Sequence, residues 1–200
     1  LFNLWQRGNE LLGKETAREA VPFLAHMLNL KLQGEWARWV RELDPKVRQK
    51  QTLWAVREFF AAAARRQPLV LAVDDLHYAD EASLAVLEDL LQVTVSEPLL
   101  LVLLFRQQRE KGCWRLRDRA ASAYPHRFTE LQLMPFSTLE SMEMFAGLLP
   151  GAVFDDVQQR TVFTKTAGNP FYIEEVVRSL KETHAVVEDE ARPGYWQVTQ

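Results

Sequence analysis

Apolar residues return every three to four positions through residues 1–67, the interval of a helix face. Phe2, Leu4, Trp5, Leu11 and Leu12 make the apolar side of a first helix, and Trp36, Trp39, Val40 and Leu43 make that of a later one. Between them Val21, Leu24, Leu28 and Leu32 share helical spacing, with the helix placed after Pro22. Asp44-Pro45 opens another helix, which runs from Lys46 to Arg66 with Leu53, Val56, Phe60 and Ala63 on its apolar face. Arg65 and Arg66 sit at its negative end, and Pro68 stops it. The period then changes. "LVLAV" at 69–73 is short and wholly apolar, bounded by Pro68 and two aspartates, which predicts a strand buried on both faces. A helix from about Glu81 to Leu91, a second apolar run "LLLVLLF" at 99–105, and "FTELQL" at 128–133 follow, the last predicting a third strand. Strands separated by helices predict a parallel sheet with crossovers, an α/β fold.

From Ser137 the pattern is helical again. Ser137 followed by Glu140 has the spacing of a capping box, and helices follow at about 155–166 and 170–182. The last stretch has a strand-like start, Pro193-Gly194 as a turn, and an aromatic return, which predicts a β-hairpin. These changes divide the chain into a helical region at 1–67, an α/β core at 68–135, a helical region at 136–183 and the hairpin at 184–200.

Composition narrows the classes. Two hundred residues, 48% hydrophobic and 26% charged, have the balance of a globular chain with one sizeable core. A formal net charge of -3 supplies no basic field for nucleic acid. A single cysteine, Cys113, excludes an internal disulfide, and no leader-like segment is present, so a cytoplasmic setting is expected. The run at 99–105 is far too short to cross a bilayer, so no membrane partner is expected. The chain opens without Met and closes just after the hairpin, as a piece of a longer polypeptide would.

Two stretches invite a chemical reading. In "RGNELLGKETAREA", Gly8, Gly13 and Lys14 have nearly the spacing of a phosphate-binding loop. The upstream residues form no apolar strand, Asn9 to Leu12 favour helix, and Glu15 stands where magnesium needs a hydroxyl, so an amphipathic helix is expected instead. In "PLVLAVDDLHYAD", residues 68–80, a strand delivers Asp74 and Asp75 at its carboxyl end, where open α/β sheets bind ligands. One carboxylate can hold hydrated magnesium while the other orients an attacking water. Blander readings are an exposed acid pair, Asp80 as a helix N-cap, and a metallohydrolase site of Asp74, Asp75 and His77. The last is weakened by the scatter of His26, His77, His126 and His184, which show no ligand-pair spacing.

The segment "PLVLAVDDLHYADEASLAVLEDLL" resembles the Walker B region of the STAND class of AAA-like signalling ATPases, within the P-loop NTPases. "PLLLVLLFRQQRE" is similar to the next strand of that class, which ends in a sensor arginine, here Arg106. "TAGNPFYIEEVVRSL" resembles its Gly-Asn-Pro segment, here Gly168, Asn169 and Pro170, which opens a lid helix. "GYWQV" looks like the first hairpin of a following winged-helix domain, and "LDPKVRQKQTLWAVREFFAAAARRQPLVL" is similar to versions joined to class III nucleotidyl cyclase domains and downstream helical repeats.

The resemblance implies ATP and Mg2+ as ligands. Asp74 would hold the metal, Asp75 would act catalytically, and Arg106, Gly168, Asn169 and Pro170 would bind nucleotide. It also implies a partial P-loop sheet with flanking helices, a helical lid, the start of a winged helix, and a phosphate loop upstream of residue 1. Attached effector domains and a homo-oligomer are compatible with it. Arg106 reads equally well as a solvated cation ending a strand, and the Gly-Asn-Pro turn as plain architecture. Many ATPases of this broad type have Glu where Asp75 stands, so slow hydrolysis and binding without hydrolysis both stay open. The alternatives are a non-catalytic scaffold and a winged-helix transcriptional regulator. Glu188, Asp189 and Glu190 in the hairpin count against the last, because acids there repel phosphate backbones.

Overall fold

The computed structural model describes residues 1–108 and 111–199, which form two compact units, Leu1–Thr129 and Glu130–Gln200. In the first unit, α1 (Phe2–Leu12) and α2 (Lys14–Met27) lie side by side. Gly8 permits this: a Cβ there would press on Cγ2 of Val21, so its absence lets the two helices approach closely. Gly13, at φ 78, turns the chain between them, and Lys14 begins α2. The stretch with phosphate-loop spacing is therefore helical, as its residues predict. The helix expected after Pro22 instead runs through it and ends at Met27, leaving Leu28 and Leu32 outside. Pro22 is tolerated in mid-helix within a well-buried stretch, Ala20 to Ala25, whose packing outweighs the lost hydrogen bond.

Next come α3 (Gly34–Glu42) and the long α4 (Pro45–Arg66), whose N-cap Asp44 accepts a hydrogen bond from the Lys46 N–H at 2.8 Å. Proline at the first helical position gives up no hydrogen bond, and Arg65 and Arg66 close the other end. β1 (Leu69–Val73), α5 (Glu81–Leu90), the single turn α6 (Val93–Ser96), β2 (Leu99–Leu103) and α7 (Gly112–Ala123) complete the unit.

β1 and β2 pair in parallel from Leu69 opposite Leu99 to Val73 opposite Leu103. Leu69, Leu71, Val73, Leu101 and Leu103 face a core that includes Phe23, Val56, Leu76, Leu87, Leu90 and Leu116. The expectation of strands covered on both faces is corrected here. Val70 is 61% exposed and Leu100 56%, so burial alternates along both strands. A continuous apolar run fits cover on both faces, but among the described residues the helices pack on only one. No third strand forms at 128–133 either. Leu131 and Leu133 are 84% and 87% exposed, and β1 and β2 make a two-stranded sheet.

In the second unit α8 (Thr138–Leu148), α9 (Asp156–Thr166) and α10 (Pro170–Glu182) pack with a hairpin of β3 (Val186–Glu188) and β4 (Trp196–Val198). Phe145, Leu149, Ile173, Val177 and Val186 form its buried core, with Trp196 and Val198 packed against them. The Ser137–Glu140 capping box is present in both directions, at 3.3 Å and 2.8 Å, and Asp155 with Gln158 forms a second one. The hairpin acids close their own loop: Glu188 accepts from the Gly194 N–H at 2.6 Å and Asp189 from that of Ala191 at 2.9 Å.

Candidate functional site

The chain leaves β1 through a turn fixed at both ends. The Leu104 N–H donates to the Val73 carbonyl at 2.9 Å and the Leu76 N–H to the Leu104 carbonyl at 3.0 Å, while the Leu76 side chain is buried in the core. Between these anchors stand Asp74 and Asp75, both exposed. Asp75 takes the left-handed conformation, φ 53 and ψ 33, which reverses the backbone in a single residue. Aspartate tolerates this better than most side chains, yet the conformation still costs on the order of 1 kcal/mol. Asp74 Oδ1 accepts the Asp75 N–H at 2.7 Å, leaving its second oxygen directed by no contact within the turn.

A short 3-10 turn, Leu76–Tyr78, follows and buries His77. His77 is 4% exposed, and among the described residues neither ring nitrogen has a hydrogen-bond partner. Its Nε2 lies 3.8 Å from Asp75 Oδ1, and its ring centroid is 4.2 Å from that of the exposed Tyr78. Asp80 then caps α5 by accepting the Ser83 N–H at 2.8 Å, as its position in the sequence suggests. Interaction with Ser83, through its hydroxyl first and its N–H second, holds the Asp80 carboxyl below the ordinary aspartate range.

Because the two strands are parallel and in register, Arg106 lies past β2 at the same sheet edge as Asp74 and Asp75, and it is exposed. Gly168, Asn169 and Pro170 belong to the second unit. There Gly168, at φ 73, accepts the Phe136 N–H at 2.8 Å, and a Cβ on it would overlap the Phe136 carbonyl. Asn169 caps α10 through the Phe171 N–H at 3.1 Å, with Pro170 at the first helical position. The structure thus places Asp74, Asp75 and Arg106 beyond the carboxyl ends of two paired strands and gives the Gly-Asn-Pro turn an architectural task. Sequence reasoning considered His77 only as a metal ligand and missed its burial without a partner. The available signal was its place, four residues after a strand end and directly after a core leucine.

Asp74 suits magnesium, a hard cation that takes one or two carboxylate oxygens and keeps several waters. Among the described residues no three His, Cys, Asp or Glu side chains are grouped to hold a metal ion, so Asp74, Asp75 and His77 do not form a transition-metal cage. Gly8 to Leu12 lie within α1 and Lys14 begins α2, so this stretch offers no looped cradle for phosphates. A groove of about 400 Å³ in the first unit is lined by residues including His26, Arg48, Thr52, Asp80 and Ser83, and by none of Asp74, Asp75 and Arg106.

An acid pair at the carboxyl end of a parallel strand stands where open α/β sheets bind ligands. Residues 8–102, a little under half of the chain, match the family model described as the AAA ATPase domain. That span contains Asp74, Asp75 and His77 and stops short of Arg106 and the Gly-Asn-Pro turn. The first unit therefore carries a segment similar to the AAA ATPase domain. No curated protein and no solved structure gives a significant match. No helix among the described residues is long and apolar enough to cross a membrane.

Proposed function

We propose that this chain is part of an ATP-binding, slowly hydrolysing regulatory switch in a multidomain signalling protein of the STAND class. The observation that carries the reading is the Asp74–Asp75 turn, clamped between Val73, Leu76 and Leu104 at the end of β1 inside the AAA-like segment. Asp74 binds the Mg2+ of Mg-ATP, and Asp75 orients the water that attacks the terminal phosphorus and accepts its proton. Magnesium held there would supply the charge that neutralises the phosphate oxygens during the reaction. Arg106 donates its planar fork to the terminal phosphate. The hairpin begins a winged helix, and effector domains such as a cyclase are joined to this module in the cytoplasm.

The phosphate cradle comes from chain outside these residues. The exposed outer face of β1 and β2, with Val70, Leu100 and Val102, supports that reading, because a parallel sheet is stable when both faces are covered. A polypeptide carrying this chain together with that cradle tests the roles. Asp74→Ala should weaken magnesium-dependent ATP binding in isothermal titration by about tenfold or more, and Asp75→Asn should leave binding intact while lowering turnover by roughly a hundredfold. Unchanged hydrolysis in both variants would remove the assignment. A non-catalytic scaffold is the second reading, favoured by the shorter reach of Asp75 relative to glutamate. Wild-type protein that binds ATP without any turnover would select it.

A further inference from the structure

We propose that His77 is a positioning residue for Asp75: its Nε2–H closes onto the Asp75 carboxylate and sets the direction in which that carboxylate meets the attacking water. The proposal rests on the ATPase reading above and adds to it a residue for which that reading has no role.

Burying an imidazole with both nitrogens unpartnered is unfavourable, a penalty that a leucine or phenylalanine in the same place would avoid. A polar ring kept at 4% exposure, next to an exposed carboxylate, fits a partner that is engaged only part of the time. The geometry names that partner. Asp75 Oδ1 is 3.8 Å from Nε2, roughly half an ångström beyond hydrogen-bond range, and among the described residues it is the one acidic group that close to a ring nitrogen. The two sides differ in mobility. The His77 ring is held by burial and by Tyr78, and the backbone before it is pinned through Leu76 to Leu104. The Asp75 carboxylate is exposed, has no other side-chain partner among the described residues, and turns about a broad terminal torsion. A small rotation of the carboxylate therefore closes the gap, with the ring as the fixed post. Closure uses one carboxylate oxygen and directs the other toward the water. An aspartate, shorter by one methylene than the glutamate common at this position, gains most from such a fixed direction.

The test exploits the two amides that mimic different ring nitrogens. Glutamine places its N–H near the Nε2 position, whereas asparagine reaches only that of Nδ1. In the polypeptide that hydrolyses ATP, His77→Asn and His77→Phe should lower kcat by about tenfold with KM for ATP changed by less than about twofold, and His77→Gln should recover to within roughly threefold of wild type. Combined with Asp75→Asn, His77→Asn should cost nothing further, because the ring acts only through that carboxylate. In the 200-residue chain itself, long-range 1H–15N spectra should show the proton of His77 on Nε2, and Asp75→Asn should shift that resonance. Equal activity of all three His77 variants and wild type, effects that multiply with Asp75→Asn, or a ring signal indifferent to Asp75→Asn would each overturn the proposal. Wild-type protein that fails to turn over ATP would instead sink the ATPase reading, and this role with it. If His77→Phe fails to fold, the Gln–Asn contrast still decides.

Discussion

Two short turns, one in each unit, carry the residues that the sequence singles out, and they use their polar atoms in opposite ways. At 166–171 nearly every group is committed to the fold. The Ala167 N–H donates to Phe163, the Asn169 N–H to Thr166, the Gly168 carbonyl accepts from Phe136, and the Asn169 side chain caps α10. At 74–78 the backbone is just as firmly held, but the side chains are not. Asp75 sits in a left-handed conformation with its carboxylate exposed, and His77 is buried with two idle nitrogens. A turn whose polar groups satisfy one another maintains shape. Both turns hold a left-handed non-glycine residue, Ala167 and Asp75, so the difference lies in the side chains: a turn that leaves polar groups unsatisfied is arranged for something that binds.

The strongest way to break this comparison is at Gly168. Gly168→Ala places a Cβ onto the Phe136 carbonyl at a positive φ, and should destabilise the second unit by about 3 kcal/mol or more in chemical denaturation. A loss below about 1 kcal/mol would show that this turn is not architectural. Removing the cap with Asn169→Ala should cost about 1 kcal/mol by the same measurement. At the acid turn the sign differs. Asp75→Gly relieves the left-handed backbone, so stability should hold or rise by no more than about 1 kcal/mol while hydrolysis falls. Substantial unfolding of Asp75→Gly would place both turns in one class.

The smallest effect concerns acid. Asp80 in the first unit and Glu140 in the second are both held below their ordinary carboxyl ranges by helix capping, Asp80 by Ser83 and Glu140 by the N–H and then the hydroxyl of Ser137. A depressed folded pKa adds stability in full above the unfolded value, and that stability is lost as pH falls through the folded value. Thermal unfolding from pH 6 downward, on the order of the range where carboxylates titrate, should therefore show Asp80→Asn gaining on wild type only at the acid end. A gap that is constant with pH would remove the cap from the account.

Much of the fold was legible locally. The Asp44-Pro45 start, the Ser137–Glu140 box, the Asn169-Pro170 opening of α10 and the Pro193-Gly194 hairpin were read from neighbouring residues, because caps and turns depend on atoms a few positions apart. The errors were of another kind. "LVLAV" and "LLLVLLF" are apolar enough for cover on both faces, yet Val70 and Leu100 stand exposed. "FTELQL" has a strand's composition but forms no strand, since a strand exists only where another chain segment pairs with it.

At the candidate site the same division holds. Two adjacent acids after an apolar run, with an N-capping aspartate beyond, were written in the chain order, and so was the helical nature of the Gly8–Lys14 stretch. The left-handed backbone of Asp75, the pinning of Leu76 by Leu104, the burial of His77 beside a carboxylate, and the shared edge with Arg106 came only from the tertiary structure. Each needs β1 and β2 in register and a core beneath them. Local chemistry selects helices, caps and turns, whereas which face is covered and which polar atom lacks a partner depends on packing between residues far apart along the chain.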